Sequence, residues 1–409
     1  MLLVNIPVVC LMPIRQSLGL WSAKKAHRSP KMSGVLVHEW IERSGGAEKV
    51  LDEFVNCYPD ADLYCLWNDA PGRYSTTDVN ESVLAATPLR RSKALSLPVM
   101  PFTWRGLENR GYDFALISSH VFAHHATFRE QSARFRKFVY VHTPARYVWN
   151  PELDERGNSP LARLGSPILR KIDRKRASEG ASFAANSVFV SRRVERAWGV
   201  QSRVIHPPVD VDRISAVEDW RSRLSENEIQ LLSSLPSPFV LGASRFIPYK
   251  RLDWVIRAAE RAGTAAVIAG SGPEEDRLRA MADSASVPVR IVRRPSDALL
   301  FALYQQALAY VFPAIEDFGI MPVEAMAAGA RVITNSIGGA SETVTPGVDG
   351  LHFHDDSWES VAECIRDVAA VDVNGARSYE KYSVRRFRSE IATWTGVPVF
   401  GYANSAEPQ

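Results

Sequence analysis

The sequence is short of cysteine. It has four in 409 residues, Cys10, Cys57, Cys65 and Cys364, with no C-x-x-C and no histidine at metal-ligand spacing from any of them. That excludes a disulfide framework and a cysteine-ligated zinc module, and it is the usage of a reducing, cytoplasmic setting. Long hydrophobic runs are missing too. The opening stretch Met1 to Ile14 is apolar but broken by Asn5, Pro7 and Pro13. It is shorter than the ~20 residues that span a bilayer, and it lacks the basic start and small-residue cleavage site of a signal peptide. Low-complexity tracts and repeats of solenoid period are absent, which excludes a linker protein and a stacked-repeat array. No basic motif interleaved with aromatics and no helix-turn-helix signal stands out, so no nucleic-acid partner is expected. An excess of one charge is lacking overall, since 49 basic and 46 acidic side chains leave +3.

What is present is an ordinary globular composition, 46% hydrophobic and 23% charged, in a chain long enough for two or three folding units. The charge is unevenly spread. Residues 1–32 carry +5, residues 33–209 another +5, and the remainder −7. A basic front half fits a partner that is anionic, such as a membrane surface or a phosphate-bearing molecule; two domains of independent composition would give the same asymmetry.

From Val35 the pattern is strand, turn, helix, repeated. Val35 to His38, Leu63 to Trp67, Phe114 to Ile117 and Phe138 to Val141 are apolar runs of strand length, and Val50, Leu51, Phe54 and Val55 recur at helical spacing. The pattern stops at His206-Pro207-Pro208-Val209, where two prolines suit neither helix nor central strand. It restarts with strands at Phe239 to Gly242, Ala265 to Ala269, Val289 to Val292, Tyr310 to Phe312 and Val332-Ile333. Helices are expected from near Arg251, Glu274, Ser296 and Ile320, and a last one over Tyr379 to Trp394. Buried strands alternating with helices predict an α/β fold of two doubly wound parallel sheets, facing across a cleft at the carboxyl ends of their strands. The expected segments are 1–32, an extension outside the core; 33–209 and 210–378, the two domains; and 379–409, a helix that packs back on the first domain, with a tail.

The segment from Pro313 to Gly329 carries the strongest chemical signal. A strand ends at Phe312, a loop holds Glu316 and Gly319, and a helix opens at Ile320 with Pro322 in its first turn. The free amides of Gly319, Ile320 and Met321 would make an anion site, and Glu324, a turn further in, would accept from a sugar diol. Taken singly, Glu316 reads equally as a solvated loop acid and Glu324 as a first-turn acid favoured by the helix dipole.

Glu316 and Glu324, with seven residues between them, resemble the E-x7-E signature of retaining nucleotide-sugar glycosyltransferases of the GT-B fold, family 4. The similarity runs from Met32 to about Gly350. Val37-His38-Glu39-Trp40 with Gly45-Gly46-Ala47-Glu48-Lys49 resembles the family's first strand and glycine loop. Tyr140-Val141-His142-Thr143-Pro144-Ala145-Arg146, Ser244-Arg245 with Pro248-Tyr249-Lys250, Gly270-Ser271-Gly272-Pro273 and Gly338-Gly339 with Glu342 resemble further blocks in the same order.

The resemblance implies a nucleoside diphosphate sugar as co-substrate, bound by the second domain, and a glycan or glycolipid acceptor on the first. Arg245 and Lys250 match its diphosphate-binding pair; Gly45 and Gly46 would bring amides near the same phosphates; Glu316 would face the donor sugar. His142 corresponds to the histidine that contacts the transferred sugar, and His120 stands near it. His124 and His125 are expected as loop residues. Bacterial polysaccharide mannosyltransferases are the members most resembled, so GDP-mannose is the expected donor, UDP-hexoses the alternative, and front-face retention the expected course. A sugar-nucleotide epimerase and a non-catalytic nucleotide- or glycan-binding protein of the same fold are the rival readings. No metal is expected: Asp60-Ala61-Asp62 and Asp210-Val211-Asp212 have D-x-D spacing but read as strand-start and capping acids. The basic run Arg170 to Arg176 reads as a solvated helix face or as a contact with anionic lipid at the inner face of a membrane. Arg293-Arg294-Pro295 stands where the family more often has glycine.

Overall fold

The apolar runs pair as parallel strands in two separate sheets. The computed structural model describes residues 32–43, 45–149 and 160–400. The extension expected over 1–32 lies outside them except for Met32, which packs against the first core and is not part of an appendage.

The first sheet comprises β1 (Gly34–His38), β2 (Asp62–Cys65), β3 (Val79–Glu81), β4 (Phe114–Ser119), β5 (Arg136–Val141), β6 (Ser182–Ala185) and β7 (Arg203–Val204) in the order β3-β2-β1-β4-β5-β6-β7. The second comprises β8 (Phe239–Arg245), β9 (Ala265–Ser271), β10 (Val289–Arg293), β11 (Ala309–Phe312), β12 (Val332–Asn335) and β13 (Gly350–Phe353) in the order β10-β9-β8-β11-β12-β13. Period-two alternation splits each strand between two buried faces. Val35, Val37, Ile117 and Val139 enter one core of the first sheet, while Leu36, Leu63, Leu116 and Tyr140 enter the other. The second sheet repeats this with Leu241, Val267 and Tyr310 against Val240, Ile268 and Val311.

One expectation changes at the chain's end. The last helix is not continuous over 379–394: a 3₁₀ turn Ser378–Tyr382 is followed by the helix Val384–Thr395, with Ser383 between them capping the amide of Arg386. That helix returns to the first half, where Phe387, Ile391 and Trp394 join the core with Phe54 and Tyr140, and Arg388 pairs with Glu53 at 2.6 Å. The His206-Pro207-Pro208 passage is held by packing on both sides. The His206 ring lies over Phe318 and against Tyr382, and the Val209 amide donates to the Tyr382 carbonyl. Among the described residues no helix is long and apolar enough to cross a membrane.

Strand order reverses between β1 and β4 in one sheet and between β8 and β11 in the other. In open parallel sheets the crevice at such a reversal, beyond the carboxyl ends of the strands, is where ligands bind. The strand ends meeting there are His38, Ser118-Ser119 and Val141 on one side, and Arg245 and Phe312 on the other.

Candidate active site

On the second-sheet side, the loop after β11 carries Glu316 back over the sheet. Lys250, in a 3₁₀ turn after β8, reaches it, with Nζ 2.5 Å from Glu316 Oε1 and both side chains largely buried. The pair sits at the β8/β11 reversal. Arg245 ends β8, exposed, with only the Tyr249 hydroxyl as a described partner at 3.2 Å. The helix Ile320–Ala327 starts at Gly319 as expected, and Glu324 lies on it. Backbone crowding fixes the loop: a Cβ on Gly339 would stand 2.0 Å from the Asp317 carbonyl oxygen, and the Gly339 amide donates to the Glu316 carbonyl at 2.7 Å. Arg294 adopts φ +44, the region glycine favours, with its amide bonded to the Gly270 carbonyl. An arginine thus holds a backbone conformation that glycine favours.

The first-sheet side is a histidine cluster. His38 Nδ1 and His142 Nε2 lie 3.0 and 2.8 Å from the Ser118 hydroxyl, so one serine links the ends of β1, β4 and β5. His120 packs edge-on against Trp40 and places Nδ1 3.1 Å from Glu39 Oε2. Glu39 is fully buried in a nest of amides, accepting from Val121 at 2.7 Å, Ala123 at 2.8 Å and His120 at 3.1 Å. Burial alone would raise its pKa; His120, His38 and those amides outweigh burial and hold it below the usual carboxylate value. Burial lowers the pKa of His120, and with His120 and His38 as neighbours it lowers that of His142 further, so both rings are neutral at pH 7.

The halves meet directly. Gly46, in the first turn of the helix Gly46–Cys57, lies so near Ile320 that a Cβ there would stand 3.1 Å from its Cδ1. Gly45 leaves room for the carboxylate of Glu48, which would lie 2.1 Å from a Cβ. Lys49 Nζ contacts Glu324 Oε1 at 2.6 Å, so the carboxylate expected to meet a sugar diol is met by a lysine of the first half. Lys49 is half exposed, which limits this pair to about 1 kcal/mol or less and leaves it displaceable. Asp317, next to Glu316, accepts from Arg146 Nε at 3.0 Å and Arg193 Nη1 at 2.5 Å, while Ser187 donates to its carbonyl at 2.6 Å. Glu342 accepts from the Val188 and Phe189 amides at 2.8 and 2.6 Å, capping a first-half helix from the second half.

The structure thus brings Glu316, Lys250, Arg245, Gly319, Ile320, Met321 and Glu324 to one edge and His142, His120, Gly45 and Gly46 to the other. Sequence reasoning did not assign His38, Glu39, Asp317 or Arg193. The available signal for Glu39 was an acid directly after an apolar strand. His124 and His125 are corrected. They are buried core residues that converge on buried Asp173, at 3.0 and 2.8 Å, because that carboxylate needs donors in a dry interior. Asp62 accepts from Tyr112 and Arg110, and Asp210 pairs with Arg213. His38-Glu39-His120 and His124-His125-Asp173 each offer ligand atoms within 4.8 Å of one another, but both carboxylates are already engaged by several donors.

The buried histidines give an acid-stability expectation. Burial, then His124, holds His125 at about 4, and His120 and His142 are also lowered. In the unfolded chain they titrate near ~6.5. Below that pH the unfolded state binds protons that the folded state refuses, so stability is complete above ~6.5 and falls by up to about 1.4 kcal/mol per pH unit per histidine toward pH 4. The thermal midpoint should drop steadily from pH 7 to pH 5; a flat profile would contradict this charge assignment.

The two carboxyl-end crevices oppose one another, one holding the Lys250–Glu316 pair and the other a cluster of buried histidines. The chain belongs to the glycosyltransferases: it matches Glycosyltransferase Family 4 over residues 44–213 and Glycosyl transferases group 1 over residues 225–383, which together take in most of its length. Its fold is of the GT-B type. It is similar to Anabaena HepE solved with UDP, with TM-score 0.65 and 20% identity over 89% of this chain and 100% of that one. It is also similar to the Thermosynechococcus elongatus sucrose-phosphate synthase, with TM-score 0.67 and 17% identity over 90% and 98%. Among curated proteins it is 28% identical over 222 residues to a GDP-mannose-dependent alpha-(1-6)-phosphatidylinositol monomannoside mannosyltransferase of Mycolicibacterium smegmatis, 50% of this chain and 57% of that one. To a D-inositol 3-phosphate glycosyltransferase of Mycobacterium avium it is 29% identical over 219 residues, 49% and 50%. The chain spans about half the length of the curated relatives it matches.

Proposed function

We propose that this chain transfers a hexose, with mannose from GDP-mannose the first choice, to a hydroxyl of a glycan or lipid-linked acceptor, with retention at the anomeric carbon. The observation that carries the reading is the Lys250–Glu316 pair at the β8/β11 reversal. A glycosyl donor departs as a diphosphate, and a cation fixed beside it stabilises charge as it develops. In this reading Lys250 and Arg245 take the diphosphate without a divalent ion, and Glu316 holds the sugar hydroxyls. Glu324 releases Lys49 to meet the ribose. The neutral His142 ring accepts from or donates to the transferred sugar without adding charge, and His120 stands beside it. The leaving phosphate takes the acceptor proton on the front face. The intact cation–carboxylate set favours an enzyme over a binding protein that has kept the fold.

The guanosine preference rests on relatives named for GDP-mannose, each matched over about half its length, whereas the HepE structure holds UDP. Thermal stabilisation by a nucleoside diphosphate panel tests it. A ligand at 100 times its dissociation constant adds ~2.7 kcal/mol, so GDP should raise the midpoint by several degrees and UDP by much less. The reverse order would replace mannose from GDP with a UDP-hexose.

A further inference from the structure

A second concave site lies outside the cleft, where the helices Arg146–Trp149, Pro160–Ala177 and Val188–Trp198 meet. It is a cavity of about 590 Å³, within the size range of small-ligand sites, lined chiefly by Trp149, Arg170, Lys171, Arg174, Lys175 and Trp198. The face expected to be solvated is exposed at Lys171, Arg174 and Lys175, and it also lines this concavity. Arg170 and Arg174 each place their guanidinium 5.5 Å from the Trp149 ring centroid, and each is tied by Nε to a main-chain carbonyl, Val148 at 2.7 Å and Ala197 at 3.1 Å. Their terminal nitrogens have no acceptor among the described residues. Lys171 and Lys175 are exposed one turn apart on the same helix.

No described carboxylate pairs with any of the four cations. The acid within their own helix, Asp173, is fully buried and turned inward, accepting from Trp149 Nε1 at 2.6 Å, Trp198 Nε1 at 2.7 Å and His125 Nε2 at 2.8 Å. The same carboxylate therefore fixes both tryptophans and leaves the four cations without a counter-charge among the described residues. Like charges four residues apart, Arg170 with Arg174 and Lys171 with Lys175, oppose the helix that carries them. Two oriented guanidinium forks with two exposed ammonium groups match the oxygens of a phosphate.

We propose that this pocket binds a phosphate group, carried either by a lipid headgroup or by a soluble phosphate compound. The proposal stands on the pocket's own geometry and holds whether or not the transfer reading does. A lipid source would also use Ile168, which is 66% exposed one turn before Lys171 and so on its face of the helix, as apolar residues are on helices lying at a lipid surface.

The test uses the full chain in two arms. One is co-sedimentation with vesicles of phosphatidylglycerol and phosphatidylcholine against phosphatidylcholine alone. The other is calorimetric titration of inorganic pyrophosphate on an Arg245→Ala, Lys250→Ala background, which removes both cations assigned to the donor diphosphate. Lys171→Glu with Lys175→Glu, both exposed and unpaired, is expected to weaken binding at least tenfold in one arm or both, the affected arm naming the source. Arg134→Glu with Arg203→Glu, exposed on the same half and outside the pocket, is expected to leave binding within threefold. Lys171→Gln with Lys175→Gln replaces the reversal if its thermal midpoint shows a folding defect. Binding of neither probe by the parent, a loss below tenfold in both arms, or an equal loss in the control variant overturns the proposal.

Discussion

Lys250→Ala is expected to lower the rate of sugar transfer by about 10²- to 10³-fold, the scale on which removal of one oriented group at a developing anion acts. The reason is local. Lys250 is held between the Glu316 carboxylate and the rings of Tyr249 and Phe312, at 5.3 and 5.4 Å from their centroids, so its ammonium needs no rearrangement to meet a diphosphate. Without it, Glu316 would face the incoming diphosphate as a lone, largely buried carboxylate, and like charges would oppose one another in a poorly screened place. Glu316→Gln keeps the side chain's shape and removes its charge, and it should lower the maximal rate more than it weakens donor binding. Both are read as kcat and KM with the donor that the nucleotide panel selects. Turnover unchanged in both variants would remove these residues from the reaction.

Asp317→Asn is expected to be the most destabilising single change at the junction of the halves. The substitution takes the Asp317 charge away from Arg146 and Arg193, both largely buried; breaking a buried pair in this way costs about 3–5 kcal/mol. Arginine keeps its charge at any ordinary pH even without that carboxylate, so neither side chain can escape by losing its proton. For elements of this size the thermal midpoint should fall by about 10 °C. Lys49→Ala breaks the other cross-junction ion pair, but it removes a half-exposed partner and should move the midpoint by about 2 °C or less. Similar shifts for the two variants would contradict the burial argument.

Much of the fold was legible because the central strands are buried on both faces and so appear as unbroken apolar runs. β1, β4, β5, β8, β9, β11 and β12 each stand near where hydrophobicity alone puts them. β3, β6, β7 and β13 did not stand out. Val79-Asn80-Glu81 and Arg203-Val204 become strands only by pairing with a neighbour already in place, which no local pattern records. The donor-side residues were legible for a different reason. Glu316, Gly319 and Glu324 lie within one strand–loop–helix unit, so their spacing carries their geometry. The roles of Asp317, Arg193 and Glu39 depend on partners 124, 124 and about 80 residues away. Asp173 likewise looks like one acid in a basic run until the fold folds two tryptophans and two histidines onto it.

Glu316 and Asp317 are adjacent and face opposite ways. One carboxylate looks into the donor crevice toward Lys250, and the other grips two arginines of the opposite half. They are joined by one planar peptide, so the backbone that sets one carboxylate also sets the other. A pull on Arg146 or Arg193 therefore falls on the loop that carries Glu316. The grip between the halves and the setting of Glu316 toward Lys250 thus hang on a single dipeptide.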